Sequence, residues 1–183
     1  LWYREEFRIY RAAPGQVAPP PADAELLECD RAEHLALYAP DNQWDAPPAV
    51  FLSVSHGRLR QGHRLYTRVQ GTRLLHYSWL EPRAASMRTE FGPVVPLPPG
   101  CALLYDDNTH SSARGQGLHS LALRQRARDA FAGGARWAYI SVRADNLPSL
   151  RNIERAGLTH VGSCIRRRVL GPQTVTMGAL AGG

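Results

Sequence analysis

Six consecutive residues, Arg114-Gly115-Gln116-Gly117-Leu118-His119, carry the clearest chemical signal in this chain. They stand between an apolar segment at 101–104 and a helical pattern at 118–131. Glycines between a strand and a helix let the backbone turn tightly and present several N–H groups at a helix N-terminus, which suits phosphate or pyrophosphate oxygens. The run is not a G-x-G-x-x-G followed by an acid about 20 positions on, nor does it end in Gly-Lys-Ser/Thr. Just upstream, Tyr105, Asp106 and Asp107 could move protons. Strand alternation sends the two carboxylates to opposite faces, so Leu103, Tyr105, Asp107 and Thr109 are expected to share one. The acidic pair also fits a strand end beside arginines. His119 reads three ways: a loop histidine, a phosphate contact or an acid/base group, and His110 reads similarly. The seven histidines (34, 56, 63, 76, 110, 119, 160) show no metal-ligand spacing with cysteine, so no metal site is expected.

The elements that must position these groups follow from the pattern along the chain. Residues 1–11 alternate loosely and read as a first strand; Pro14, Pro19, Pro20 and Pro21 then break regular structure. Residues 25–38 read as helical, with Asp30 as N-cap and Leu35, Leu37 and Tyr38 buried. A polar loop at 41–48 carries Trp44, and 50–60 reads as a second helix ended near Gly62. Residues 63–70 and 73–80, joined by Gly71-Thr72, form a hairpin signal. Residues 81–100 are Pro-rich and irregular, a long loop of the kind that often serves function. Residues 160–170 and 174–177 read as a closing hairpin turned by Gly171-Pro172-Gln173, with a frayed tail at 178–183.

The glycine run is similar to the R/Q-x-x-G-x-G/A signature of the GNAT superfamily of acyl-CoA-dependent N-acetyltransferases. Arg114 and Gly117 fit it, and His119 stands where the last Gly or Ala is expected. After the strand-like 137–142 comes Asn146-Leu147-Pro148-Ser149-Leu150-Arg151-Asn152-Ile153-Glu154-Arg155-Ala156-Gly157-Leu158, which resembles the superfamily's N-x-x-S…E-K-x-G-F helix with Arg for Lys and Leu for Phe. The resemblance is close over 101–168 and architectural before that.

That resemblance implies an α/β (α+β) fold: a mixed, mostly antiparallel sheet whose fourth and fifth strands, 101–109 and 136–143, run parallel and splay apart, with helices on both faces. It implies one domain over 1–183, with acceptor-side loops in 1–100 and an acyl-CoA-binding core in 101–168. It places acetyl-CoA on the backbone of Asn108, Thr109, Arg114, Gly115, Gln116, Gly117, Leu118 and His119, and lines the pantetheine with Asn146, Ser149 and Asn152. Asn146 also reads as a helix N-cap ahead of Pro148. A backbone N–H of Asn108 or Thr109 would serve the oxyanion. Asp107 is the expected base, with Tyr105 and His119 as further catalytic candidates. Many superfamily members carry a Tyr seven residues after the Asn that protonates the leaving thiolate; here that position is Ile153. The task then falls to His119, Tyr139, Cys164 or water. Trp44 and Phe91, in loops, are the substrate-binding candidates, while Trp79 reads as core.

Length and composition bound the remaining classes. The hydrophobic fraction of 44% and charged fraction of 21% suit a globular protein. No apolar run approaches the roughly 18 residues of a membrane span, no signal-peptide pattern is present, and the expectation is a cytoplasmic protein. Cys29, Cys101 and Cys164 are few and odd in number, which argues against a disulfide framework. Every one of the 22 basic residues is Arg, and the net charge is +6. Beyond solubility, that charge would attract CoA and mildly favours a small anionic acceptor over a polyamine. Arg124, Arg126 and Arg128 do not line one helix face, so no nucleic-acid groove is expected; Arg166-Arg167-Arg168 reads as a solvated strand face. The closing hairpin offers an edge on which two copies could pair as a homodimer. The competing reading is a GNAT scaffold that holds acyl-CoA without turnover.

Overall fold

A computed structural model describes residues 3–88, 94–168 and 174–177. Ten strands and three α-helices are β1 (Tyr3–Ala12), β2 (Glu28–Cys29), α1 (Pro48–Arg60), β3 (Arg64–Gln70), β4 (Arg73–Glu81), β5 (Ser86–Arg88), β6 (Val94–Pro96), β7 (Cys101–Thr109), α2 (Leu118–Ala132), β8 (Trp137–Arg143), α3 (Leu147–Arg155), β9 (Thr159–Arg168) and β10 (Thr174–Met177). Eight strands make one sheet in the order β10-β9-β1-β8-β7-β4-β3-β2, and β5-β6 make a second, two-stranded one. Among the described strands only β7 and β8 pair in parallel. This is the mixed, mostly antiparallel sheet that the resemblance implies.

The strand that begins the chain lies well inside the sheet. β1 pairs antiparallel with β8 on one side and β9 on the other. The proline-rich stretch after it then carries the chain past α3, where Ala18 donates to the Ala156 carbonyl. Gly157, at φ +100, meets Gln16 O so closely that a Cβ would sit 2.2 Å from it. Only glycine leaves room for that crossing.

Helices cover both faces. On one, α2 and α3 pack on Ala102, Leu104, Ala138 and Ile140. The buried stripe of α2 holds Leu118, Ala122, Leu123, Ala127 and Ala130, and its small residues let the helix lie close to the sheet. On the other face, Phe51 of α1 and Leu35 pack with Leu65, Leu74, Tyr77 and Trp79, so Trp79 is core as expected. Beside them the β5-β6 hairpin buries Met87 and Val95 against Cys101, Leu103 and Tyr139.

Three sequence expectations need correction here. Residues 25–38 are not an α-helix. The Gln125 side chain engages both the N–H and C=O of Leu27 at 2.8 and 2.9 Å, and Glu28–Cys29 pair with β3. Only Ala32–Leu37 wind, as a 3-10 turn. Asp30 caps no helix; at φ +58 it accepts from the Leu65 N–H at 3.0 Å. Second, the stretch 81–100 is not wholly irregular but holds the β5-β6 hairpin. Third, Asp107 does not share the face of Leu103 and Tyr105, as described below. Phe91, the turn at 171–173 and the tail at 178–183 lie outside the described residues. The three cysteines are unpaired.

Candidate active site

The parallel pair separates early. β7 and β8 are in register only at Cys101↔Trp137, Ala102↔Ala138 and Leu103↔Tyr139. From there β7 continues to Thr109 and β8 to Arg143 without pairing, which opens a slot through the sheet and leaves strand-edge polar groups facing it. A cleft of about 420 Å³ fills the slot, walled by Tyr105, Asp106 and Asp107 from β7, Ile140 to Arg143 from β8, and His119, Asn146, Ser149 and Ile153 from the helices.

At one end of the slot lies the glycine run. Gly115 and Gly117 have φ of +80 and +76, and a Cβ on either would meet nothing within 4 Å. Glycine is therefore required by backbone conformation rather than by crowding. Gly117 is the N-cap of α2 and no side chain caps it, so the N–H groups of the first turn have no partner within the helix. The exposed residues 114–117 and this helix start have the backbone form that suits an anion. The Arg114 side chain turns toward Asp41, at 3.7 Å. Asp41 also accepts from the Ser111 N–H and hydroxyl, and those bonds hold its carboxyl below the usual range. Opposite, Asn146 caps α3 by accepting from the Ser149 N–H at 3.3 Å. Asn152 does not line the slot; its amide meets His119 Nδ1 at 3.2 Å. Burial pushes the His119 imidazole down, opposed by the charge of Asp107. The ring is therefore a neutral wedge between α2 and α3 at the slot wall.

Asp106 changes the geometry of β7. Two residues, Asp106 and Asp107, lie between Tyr105 and Asn108, while a single residue of β4, Ser78, lies between their partners Trp79 and Tyr77. Asp106 takes φ +50 to absorb the extra residue, a β-bulge at the mouth of the slot. Tyr105 and Asp107 therefore do not share a face, which corrects the alternation argument. Asp107 faces α2, where Arg126 Nη2 holds it at 2.6 Å. Arg126 is 0% exposed and also donates to the carbonyls of Trp79 and Tyr105 at 2.8 and 3.3 Å. The guanidinium thus satisfies the backbone that the bulge disturbs. A carboxylate engaged this way is a poor candidate for the base expected at Asp107.

His76, on β4 beneath this cluster, is 1% exposed, with Nδ1 2.8 Å from Thr109 Oγ1. Burial pushes it down to about 3. The unfolded chain binds a proton near pH 6.5 and the folded chain does not, so stability falls as pH drops through the window from 6.5 toward 3. The expected slope is up to about 1.4 kcal/mol per pH unit. Urea titrations at pH 7 and pH 5 should show His76→Gln losing less stability than the parent between the two; equal losses would contradict a neutral buried ring.

Tyr105 projects to the α1 face. Its hydroxyl lies 2.5 Å from His63 Nδ1, and Arg58, itself paired with Asp106, stacks over the Tyr105 and Trp79 rings. Burial raises the Tyr105 phenol. Burial, and then the Arg58 charge, lower His63. A second cleft, of about 500 Å³, opens here between α1, β5 and β7, walled by His63, Glu81, Met87, Leu103 and Gln61 among others. Arg58, Arg88, Tyr105 and Ser141 line both clefts, so the two meet at these side chains.

Neither cleft is lined by Trp44, which is 85% exposed. Tyr139 and Cys164, named as thiolate acids, are 1% and 0% exposed and line neither cleft. His110 caps the short turn Ser111–Ala113. His63, Glu81, Arg58 and Arg88 were not singled out by sequence. No motif spacing marks them, because α1, β4, β5 and β7 converge only in three dimensions. Among the described residues there is no cluster of three or more His, Cys, Asp or Glu able to hold a metal, and no helix is long and apolar enough to cross a membrane.

No protein-family model matches the sequence, and no curated protein matches it significantly. Solved structures do. An acetyltransferase of the GNAT family from Colwellia psychrerythraea superposes with a TM-score of 0.63 at 15% identity, over 91% of this chain and 56% of that one. A GCN5-related N-acetyltransferase from Sphaerobacter thermophilus gives 0.58 at 16%, over 92% and 52%. A ribosomal-protein-alanine N-acetyltransferase from Brucella melitensis gives 0.53 at 16%, over 73% and 83%. The chain thus spans little more than half the length of the first two. With its splayed parallel pair, glycine-run cradle and flanking helices, the chain has the fold of the GNAT acetyltransferases.

Proposed function

We propose that this chain is an acetyl-CoA-dependent N-acetyltransferase that moves the acetyl group directly to a small amine in a ternary complex. The observation that carries the reading is the Tyr105–His63 hydrogen bond, because Tyr105 lines both clefts and His63 lines only the second. The pyrophosphate would rest on the backbone of Gly115 to Leu118, and the pantetheine would lie along the unpaired edge of β7 past Asn146 and Ser149. The amine would approach from the cleft beneath α1. One of the similar structures is, by its name, an enzyme that acetylates an alanine amine.

The residues divide the chemistry as follows. The amine attacks the thioester carbonyl in its neutral form, and a β7 backbone N–H at Asn108 or Thr109 receives the oxyanion. The adduct's N–H proton passes to His63 Nε2, the Nδ1 proton to the Tyr105 oxygen, and the phenol proton to the departing sulfur. The C–S bond breaks, the C–N bond stays, and the imidazole emerges with its proton on the other nitrogen. Tyr105 thereby takes the place of the tyrosine absent at Ile153, from the opposite side of the slot.

Calorimetric titration of Gly117→Trp tests the donor site. A side chain there both strains a left-handed backbone, by about 1–2 kcal/mol, and blocks anion approach to the cradle. Micromolar acetyl-CoA binding by the parent and none by the folded variant is expected; no binding by the parent overturns the proposal. Ile153 and the His119 wedge favour a second reading, a scaffold that holds acyl-CoA without turnover. It requires binding with no transfer to any amine.

A further inference from the structure

The second cleft carries two charges, Glu81 and Arg88, that form no ion pair among the described residues. Glu81, at the end of β4, has no ion-pair partner among the described residues, and burial alone raises its carboxyl. Arg88, on β5, also lacks a partner among the described residues, and it stands where the two clefts join. Their neighbour Arg58 differs, being tied to Asp106 and stacked on two rings. Met87, Leu103 and Val54 give this cleft an apolar part of its wall, beside the polar Gln61, His63, Ser86 and Ser141. Glu81 is partly buried, so its charged form is disfavoured there until a cation meets it, while Arg88 is exposed where the clefts join and can offer an anion contact.

Resting on the acetyltransferase reading, we infer that the acceptor is a zwitterion: a small amino carboxylic acid, or the equivalent end of a larger molecule, whose anionic group pairs with Arg88 and whose ammonium is received by Glu81. This goes further than the chain's positive charge, which favours an anion without requiring a cation on the same molecule. It also gives each cleft residue a distinct task. Glu81 draws the amine in as its ammonium, solvent takes the proton that must leave before attack so that His63 stays neutral, and Arg88 fixes the acceptor at the junction beside Tyr105. A simple amine lacks the grip of Arg88. A diamine would set a second cation beside Arg58 and Arg88 and is disfavoured by repulsion.

The test is acetylation of glycine, β-alanine and γ-aminobutyrate set against the amines lacking the carboxylate (methylamine, ethylamine, propylamine) and against 1,4-diaminobutane. The parent and Arg88→Gln are compared, with thermal melts as the folding control and acetyl-CoA calorimetry run in parallel. Losing one charge-assisted contact is expected to lower kcat/KM for the best amino acid about 10- to 100-fold. It should act mainly through KM and lower the simple amines by much less than the amino acids, with donor binding intact. Simple amines used as well as amino acids, or an Arg88→Gln loss equal for both classes, would overturn the inference. So would acetyl-CoA binding without turnover of any amino acid, with the donor site left standing. Failure of the parent to bind acetyl-CoA would instead remove the reading beneath it.

Discussion

Tyr105→Phe is expected to lower kcat by about 10²- to 10³-fold while leaving acetyl-CoA affinity within a factor of about three, the size expected for removing one positioned proton-transfer group. The substitution keeps the ring that packs between Arg58 and His63 and removes only the hydroxyl. A structural role for Tyr105 would show as a lower melting temperature instead. His63→Gln should produce a loss of the same order, and the double variant little more than either alone, because two members of one relay are not additive. The pH profile supplies an independent check. Transfer needs His63 neutral, and burial together with Arg58 lowers its pKa from 6.5. The acid limb of kcat should therefore lie below pH 6.5, and Arg58→Met, by removing a nearby positive charge, should move it upward. An acid limb unchanged by that substitution, or full turnover by Tyr105→Phe, would exclude the relay. Asp107→Asn is the contrasting case: if Asp107 is a structural anion, kcat should fall by less than about tenfold, whereas a general base would cost about 10²-fold or more.

What the sequence made legible follows physical range. The elements that carry their own local signals were readable: the β3-β4 hairpin through Gly71-Thr72, α2 through its glycine start and its apolar stripe, and α3 through Asn146 and Pro148. The slot could be anticipated only through the resemblance: the glycine run and the Asn146 helix are similar to two GNAT motifs, and that likeness implies a parallel pair that parts between them. The acceptor side could not. Whether 25–38 winds depends on Gln125, some hundred residues away, taking both backbone groups of Leu27. The β5-β6 hairpin is hidden among prolines. The decisive miss is a single residue. Asp106 adopts a left-handed conformation at which glycine, not aspartate, would be the obvious sign, and that one bulge moves Asp107 off the face it was assigned. Trp44 shows the converse, since a loop aromatic suggests a binding wall but here stands in solvent, 85% exposed.

Arg126→Leu should cost about 3–5 kcal/mol of folding stability. Arg126 sits on the buried stripe of α2 at 0% exposure, and its guanidinium reaches Asp107, Trp79 O, Tyr105 O and Ala122 O. Leucine matches the surroundings, being apolar on an apolar stripe, yet it leaves a largely buried carboxylate and two bulge carbonyls without donors. Burying an unpaired charge is what makes breaking such a pair expensive, even where building the pair gained little. The double variant Arg126→Leu/Asp107→Leu separates the two costs. It removes the stranded carboxylate but not the stranded carbonyls, so it should recover about half of the loss, read as a shift of the urea midpoint at constant slope. Full recovery would assign everything to the ion pair, and no recovery would assign it to the bulge. If the bulge carries a share, the arginine that looks least concerned with chemistry is what holds Tyr105 on the α1 face and Asp107 on the other. Its loss should then appear in kcat at temperatures where the protein is still folded. An Arg126→Leu protein that melts within about 1 kcal/mol of the parent would refute this account of how the bulge, and with it the junction of the two clefts, is kept in place.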